Sequence, residues 1–200
     1  ENAITEKTKV IIPVDIAGMP ADYNELYKIV KQKKKLFKAS NDVQEKFGRI
    51  VIISDSAHSI GATYKGKKAG LIADMSSFSF HAVKNLTTAE GGALVFNVAD
   101  KFNHEELKKS FKVSSLHGQT KDAFSKVQIG AWRYDVIEAG FKCNMTDLQA
   151  AIGLVELERY QETLNRRKEI FERYTKELSK YSWANTPIYE NEEKKSSFHL

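Results

Sequence analysis

Two short β-branched runs with a helical pattern between them constrain this chain more than any other feature. The runs are Lys9-Val10-Ile11-Ile12-Pro13-Val14 and Arg49-Ile50-Val51-Ile52-Ile53. Each is apolar almost throughout, as a strand buried on both faces of a parallel sheet must be. Between them Asp22 stands as an N-cap, with Glu25 at the capping-box position, and Leu26, Ile29 and Val30 supply one helical face. Strand, helix, strand in this order predicts a right-handed βαβ unit. Asp74 to Phe80 and Gly92 to Phe96 are two further candidate strands, and Asn103 to Val113 reads as a helix with Asn103 and Glu106 as its capping pair. The pattern is α/β in three layers.

A long helix is predicted from Thr146, which has Gln149 at its capping-box position. Leu157, Tyr160, Leu164, Phe171, Tyr174, Leu178 and Tyr181 form its apolar stripe, which Arg167 interrupts once. A helix of this length packs along a domain or joins two. After Pro187 the chain turns polar and reaches Leu200 with no evident closing element. The expected division is therefore residues 1–145 as the end of one domain and residues 146–200 as a linking helix with the start of a second, smaller one.

Composition narrows the classes of function. With 42% hydrophobic and 28% charged residues the chain is globular and can bury a sizeable core. The net charge of +5 raises nucleic acid as a partner. Its excess sits mainly in Lys31, Lys33, Lys34, Lys35 and Lys38, a solvated helix face rather than a groove reader. No apolar run approaches the ~18 residues of a membrane helix, and the N-terminus does not read as a signal peptide. Cys143 stands alone, so no disulfide framework or CxxC knuckle is implied. The reading is a cytoplasmic protein without membrane insertion.

The familiar phosphate cradles, GxGxxG after a strand and GxxxxGK[ST], are absent, and the five histidines lack metal-site spacing. Asp55 falls just past a strand predicted to be parallel, at the sheet edge where α/β folds bind ligands. His58 follows three residues later. Lys84 lies in Ser76-Ser77-Phe78-Ser79-Phe80-His81-Ala82-Val83-Lys84-Asn85, among aromatic and small residues, and Glu90-Gly91-Gly92 turns the chain back. A lysine held in such a loop can be desolvated, which makes its neutral amine available for Schiff-base chemistry. Each residue also has a plain structural reading: Asp55 as a helix cap, His58 as a packed histidine, Lys84 as a solvated loop lysine.

Five motifs in order resemble the DegT/DnrJ/EryC1/StrS family of sugar aminotransferases. They are Ile12-Pro13-Val14-Asp15-Ile16-Ala17-Gly18, Asp55-Ser56-Ala57-His58-Ser59-Ile60-Gly61-Ala62, Ser79-Phe80-His81-Ala82-Val83-Lys84-Asn85, Glu90-Gly91-Gly92, and Gly140-Phe141-Lys142-Cys143-Asn144-Met145-Thr146-Asp147-Leu148-Gln149-Ala150-Ala151. The resemblance implies the fold of the pyridoxal 5′-phosphate-dependent transferases: part of the aspartate aminotransferase-like major domain, a three-layer α/β/α sheet, with the start of the small C-terminal domain. It implies that Lys84 carries the cofactor as a Schiff base and acts as general base and acid, that Asp55 pairs with the pyridinium nitrogen, that His58 stacks on the ring, and that Ser79 binds the phosphate. Lys142 or Asn144 falls where the family sends a residue across a homodimer interface to the partner's phosphate. The implied reaction moves an amino group from glutamate to a nucleotide-linked keto sugar for spore coat or surface polysaccharide, with no metal.

Members of the family are about twice this length, so the chain resembles an internal fragment, and Lys31 to Lys46 is longer than the usual connection, as an exposed helical excursion would be. Two alternatives stand beside the aminotransferase: a non-catalytic dimerisation or binding fragment of such an enzyme, and the sugar dehydrases of the same family. In the dehydrases a histidine replaces the lysine, so Lys84 argues against that branch.

Overall fold

The computed structural model describes residues 1–98, 101–120 and 133–200. They form two compact units, Glu1–Asn97 with Leu148–Leu200, and Val98–Asp147.

In the first unit a four-stranded sheet runs in the order β1 (Val10–Ile11), β2 (Val51–Asp55), β5 (Met75–Ser79), β6 (Gly92–Phe96). The first three are mutually parallel, and β6 returns antiparallel to β5. Helix α1 (Tyr23–Gln32) connects β1 to β2 as the βαβ reading requires. Its Tyr23 and Val30 pack with Ile50, Ile52, Tyr64 and Ala73 to make the core, flanked by Leu26, Tyr27 and Phe37. Side chains alternate across a strand, so the register Val10↔Val51 and the bridge Val14↔Asp55 put Val10, Val14 and Asp55 on one face, opposite Ile52. On that face Val10, Ile12, Val14 and Ser77 are exposed.

The capping box at Asp22 does not form. Asp22 occupies the N-cap position but makes no side-chain cap bond; its Oδ1 instead accepts from the Tyr64 hydroxyl at 2.9 Å. Glu25 pairs with Lys28 at 3.3 Å. A phenol donor on the neighbouring hairpin outcompetes the helix for this carboxylate. The lysine-rich stretch is a 3-10 turn (Lys33–Leu36) followed by α2 (Asp42–Phe47), which Asn41 caps and Gly48 ends in the left-handed region. Lys31, Lys34, Lys35 and Lys38 are exposed.

The single long helix divides into α4 (Asp147–Glu158) and α5 (Tyr160–Leu178), separated by Arg159 at φ −94°, ψ 2°. The break turns Tyr160 onto the loop after β2, where its hydroxyl donates to the Ile60 carbonyl, and Leu164 is buried beside Gly61. The chain end also differs from expectation. Strand β7 (Lys194–Lys195) joins β3 (Thr63–Tyr64), which also pairs with β4 (Lys67–Lys68), in a small antiparallel sheet. Ser196, Ser197 and Phe198 follow β7 and are fully or almost fully buried. Phe198 meets Phe171 and Tyr189 with ring centroids 5.6 Å and 5.7 Å apart. The polar tail hides its closing element because the burying surface comes from α5 and from loops far away in the chain.

In the second unit, helix α3 (His104–Ser115) has Asn103 as its N-cap, as the sequence predicts, with Glu106 taking part through its backbone: Asn103 Oδ1 accepts from the backbone N–H of Glu105 at 3.0 Å and of Glu106 at 3.3 Å. Residues 141–143 lie along its last turn through Phe141 N–H to Ser114 O at 2.6 Å and Cys143 N–H to Ser115 O at 3.0 Å. No helix among the described residues is long and apolar enough to cross a membrane.

Candidate active site

The β-branched run that makes β2 ends in a carboxylate. Asp55 is the last residue of the strand, held by Asp55 N–H to Pro13 O at 2.9 Å and by Asp15 N–H to Asp55 O at 3.0 Å. One carboxylate oxygen accepts from Ala57 N–H at 3.1 Å; the other accepts nothing among the described residues. Asp55 pairs with Ser77 in β5, and alternation puts Ser79, two residues on, on the same face. Ser79 Oγ accepts from His81 N–H at 3.3 Å.

His58 stands three residues beyond Asp55 with its imidazole fixed from two sides. Its Nδ1 accepts from Ala17 N–H at 3.3 Å, which settles the neutral tautomer as Nε2–H. Its ring lies against His199, centroids 4.3 Å apart and planes 34° apart. The His58 pKa is lowered by burial and then by the Lys84 ammonium, and Asp55 opposes this. Both charges therefore act on the same imidazole.

Lys84 follows β5 in the loop that leads to β6. Its N–H donates to His81 O at 2.9 Å, while Phe80 N–H to Gly91 O at 2.8 Å and Thr88 N–H to Phe80 O at 2.9 Å close the loop at its base. Lys84 is half-buried between exposed Val83 and buried Asn85. This loop presents the amine on a stapled support rather than on a free excursion.

His199 and Asn85 belong to this site, and the sequence reading singled out neither. Asn85 Nδ2 donates to Ser197 O at 2.6 Å, which orients its amide so that Oδ1 faces His199 Nδ1 at 2.8 Å. His199 therefore carries its proton on Nδ1. Burial, then His58, Lys84 and Arg167, push its pKa down to about 4, and that of its tilted partner His58 is lowered too, so both rings are biased toward the neutral form. The Ser197 hydroxyl donates to His58 O. Arg167, the residue that interrupts the α5 stripe, donates to Phe198 O at 3.4 Å and His199 O at 3.3 Å. That interruption was the one signal in the sequence for this arrangement: a charge in an apolar stripe has a buried acceptor to meet.

Asp55, His58, Ser79 and Lys84 all lie in the first unit. Lys142 and Asn144 lie in the second, both exposed, with Lys142 Nζ donating to Asn144 Oδ1.

The whole chain, residues 1–200, matches the model of the DegT/DnrJ/EryC1/StrS aminotransferase family. It is 39% identical to the uncharacterized protein MJ1066 of Methanocaldococcus jannaschii and 35% identical to the spore coat polysaccharide biosynthesis protein SpsC of Bacillus subtilis. In both cases 100% of this chain aligns with 46% of the relative. The fold superposes on the putative sugar aminotransferase Spr1654 of Streptococcus pneumoniae in its PLP form with a TM-score of 0.92 at 49% identity, covering 100% of this chain and 48% of the other. The PMP form of that protein superposes with a TM-score of 0.91 at 51% identity, over 100% of this chain and 50% of the other. The chain thus spans about half the length of the relatives it matches.

Proposed function

The chain belongs to the DegT/DnrJ/EryC1/StrS aminotransferase family, and from that premise we propose that it forms the cofactor-binding half of an enzyme moving an amino group from glutamate to a nucleotide-linked keto sugar. The observation that carries the reading is Asp55, with one carboxylate oxygen uncommitted, at the carboxyl end of a parallel strand and three residues before an imidazole held by Ala17. That edge is where open α/β sheets take ligands. The relative SpsC, by its name, supports surface polysaccharide as the setting.

The residues fit pyridoxal 5′-phosphate. They offer a carboxylate with an uncommitted oxygen for a ring nitrogen, a neutral imidazole with fixed orientation for a flat ring, an amine for an aldehyde and a hydroxyl for a phosphate. When bound, the cofactor supplies a carbonyl that takes up the amino group and a ring that draws electrons from the adjacent carbon. Lys84 Nζ would hold the cofactor and, once released by the amino donor, would take a proton from the donor carbon and return it to the carbon on the far side of the transferred nitrogen. Asp55 keeps a proton on the ring nitrogen. His58 orients the ring, and the Ser79 hydroxyl donates to the phosphate. In a homodimer, Lys142 or Asn144 reaches the partner's phosphate. Residues 1–145 then form the C-terminal part of the major, cofactor-binding domain, and residues 146–200 its linking helix with the start of the small one.

Borohydride reduction of the full-length protein loaded with cofactor tests this reading. The label should fall on the peptide carrying Lys84 and vanish in Lys84→Ala. Glutamate should bleach the visible band of the unreduced protein, and one of a panel of nucleotide-linked 3- and 4-keto sugars should restore it. A protein that takes up no reducible cofactor, or that glutamate leaves unbleached, refutes the proposal.

A further inference from the structure

Beneath the site lies a buried carboxylate to which the proposed chemistry gives no task. Asp15 is 1% exposed, and no cation pairs with it among the described residues. Its Oδ1 accepts from Ala21 N–H at 2.9 Å and from the Tyr23 hydroxyl at 2.7 Å. Its Oδ2 accepts from the Ser59 hydroxyl at 2.8 Å and lies 3.3 Å from those of Ser54 and Ser56, which also share a hydrogen bond with each other at 2.8 Å. Burying a charge without a counterion is costly unless such donors surround it. Burial, then Asp15, raises the Tyr23 pKa, which keeps that phenol protonated and donating.

What these donors have in common is their place in the chain. Ser54 and Ser56 are the residues on either side of Asp55, and Ser59 is the residue after His58. Asp15 also reaches Asp55 through its backbone, donating N–H to Asp55 O at 3.0 Å. Two residues further on, in the 3-10 turn Ile16–Gly18, the Ala17 N–H donates to His58 Nδ1 at 3.3 Å. One carboxylate thus gathers both segments that present the two ring-facing residues.

We propose that Asp15 is the positioning residue of this site, whose carboxylate, through Ser54, Ser56 and Ser59, sets the angle of Asp55 and the plane of His58 toward the cofactor. The inference rests on the cofactor reading above. A side chain serving only the fold could be replaced by any group that keeps the core filled. A positioning acceptor is sensitive to the loss of acceptance alone.

Asp15→Asn makes that distinction. It preserves shape and one accepting oxygen, but turns two hydrogens toward a serine cluster in which Ser59 donates and Ser54 and Ser56 share the remaining contacts, so the hydroxyls must reorient. Ser59→Ala removes a single donor and leaves the rest in place. Full-length wild type and both variants are titrated with pyridoxal 5′-phosphate, following the visible band and its induced circular dichroism, with thermal melting of the cofactor-free proteins alongside. Asp15→Asn should weaken cofactor binding about tenfold or more and reduce the ellipticity per bound cofactor, since lost charged hydrogen bonds are of that order. Ser59→Ala should change both in the same direction by less, with a melting curve near wild type. If Asp15→Asn does not melt cooperatively, Ser59→Ala decides. Wild-type affinity and ellipticity in every variant that folds overturn the proposal while leaving the proposed function standing. A wild type without a lysine-bound band overturns both.

Discussion

Replacing His199 by phenylalanine should remove a pH-dependent part of this protein's stability. In the unfolded chain the imidazole takes up its proton near 6.5, whereas in the fold burial, then His58, Lys84 and Arg167, hold protonation off until about 4. Between those values the unfolded state binds more protons, so stability falls as the pH is lowered through that window. At ~1.4 kcal/mol per pH unit the full difference approaches about 3 kcal/mol. The imidazole retains some water, and solvent screening reduces this to about 2 kcal/mol. Phenylalanine keeps a flat ring against His58 but cannot be charged. It leaves Asn85 Oδ1 without its donor, a roughly constant cost of about 1–3 kcal/mol at every pH. Urea unfolding of the cofactor-free protein at fixed temperature, from pH 7.5 down to 4.5, gives the stability difference between wild type and His199→Phe. Carboxylates common to both proteins cancel. The wild-type advantage should shrink by about 2 kcal/mol across that range. An advantage that stays constant within about 0.5 kcal/mol would mean that His199 is not held neutral by the fold.

Gly18 has φ +89°, and a Cβ there would meet the Ser197 hydroxyl and come within 3.0 Å of His58 O. Gly18→Ala should lower stability by about 2–4 kcal/mol in urea unfolding and weaken cofactor uptake, because the side chain collides with the segment that fixes His58. Asp74 is buried and takes Arg49 at 2.6 and 2.8 Å together with Ile52 N–H at 2.9 Å. Asp74→Ala strands a partly buried guanidinium and a buried amide at once, and thermal melting should report a loss of about 3–5 kcal/mol.

What the sequence disclosed depended on how local its cause is. The β2 run is apolar and β-branched within itself, so Asp55's position at a strand end follows from adjacent residues alone. The Asn103 cap is equally local, since the carboxamide finds its donors two and three residues ahead. The Asp22 cap failed because its competitor, Tyr64, is brought there by tertiary structure. The break at Arg159 lies where the apolar stripe continues through Leu157, Tyr160 and Leu164, and is made by what Tyr160 and Leu164 pack against, not by a helix-breaking residue. His199 was the hardest of all to see. It follows a polar tail, and its partners Asn85 and His58 belong to other parts of the chain. Lys84, Asp55 and His58 stand out as candidates because each falls within a motif shared with the family, while Asp15 lies inside the Ile12 to Gly18 motif without any local sign that its carboxylate is buried.

The bond from the Ser197 hydroxyl to His58 O closes a separation of 139 residues, and Asn85 to His199 closes one of 114. Contacts so distant form late, since the chain must first give up the freedom of the loop between them. During synthesis the strand that ends in Asp55 and the loop that carries Lys84 leave the ribosome long before the residues that fix the imidazole exist. A nascent chain therefore has the lysine without the settled imidazole, and the surroundings of His58 are completed only when Ser197 and His199 are in place. A chain stalled or clipped before Ser196 would carry Asp55, His58 and Lys84 with the imidazole unsupported on the side that Ser197 and His199 close.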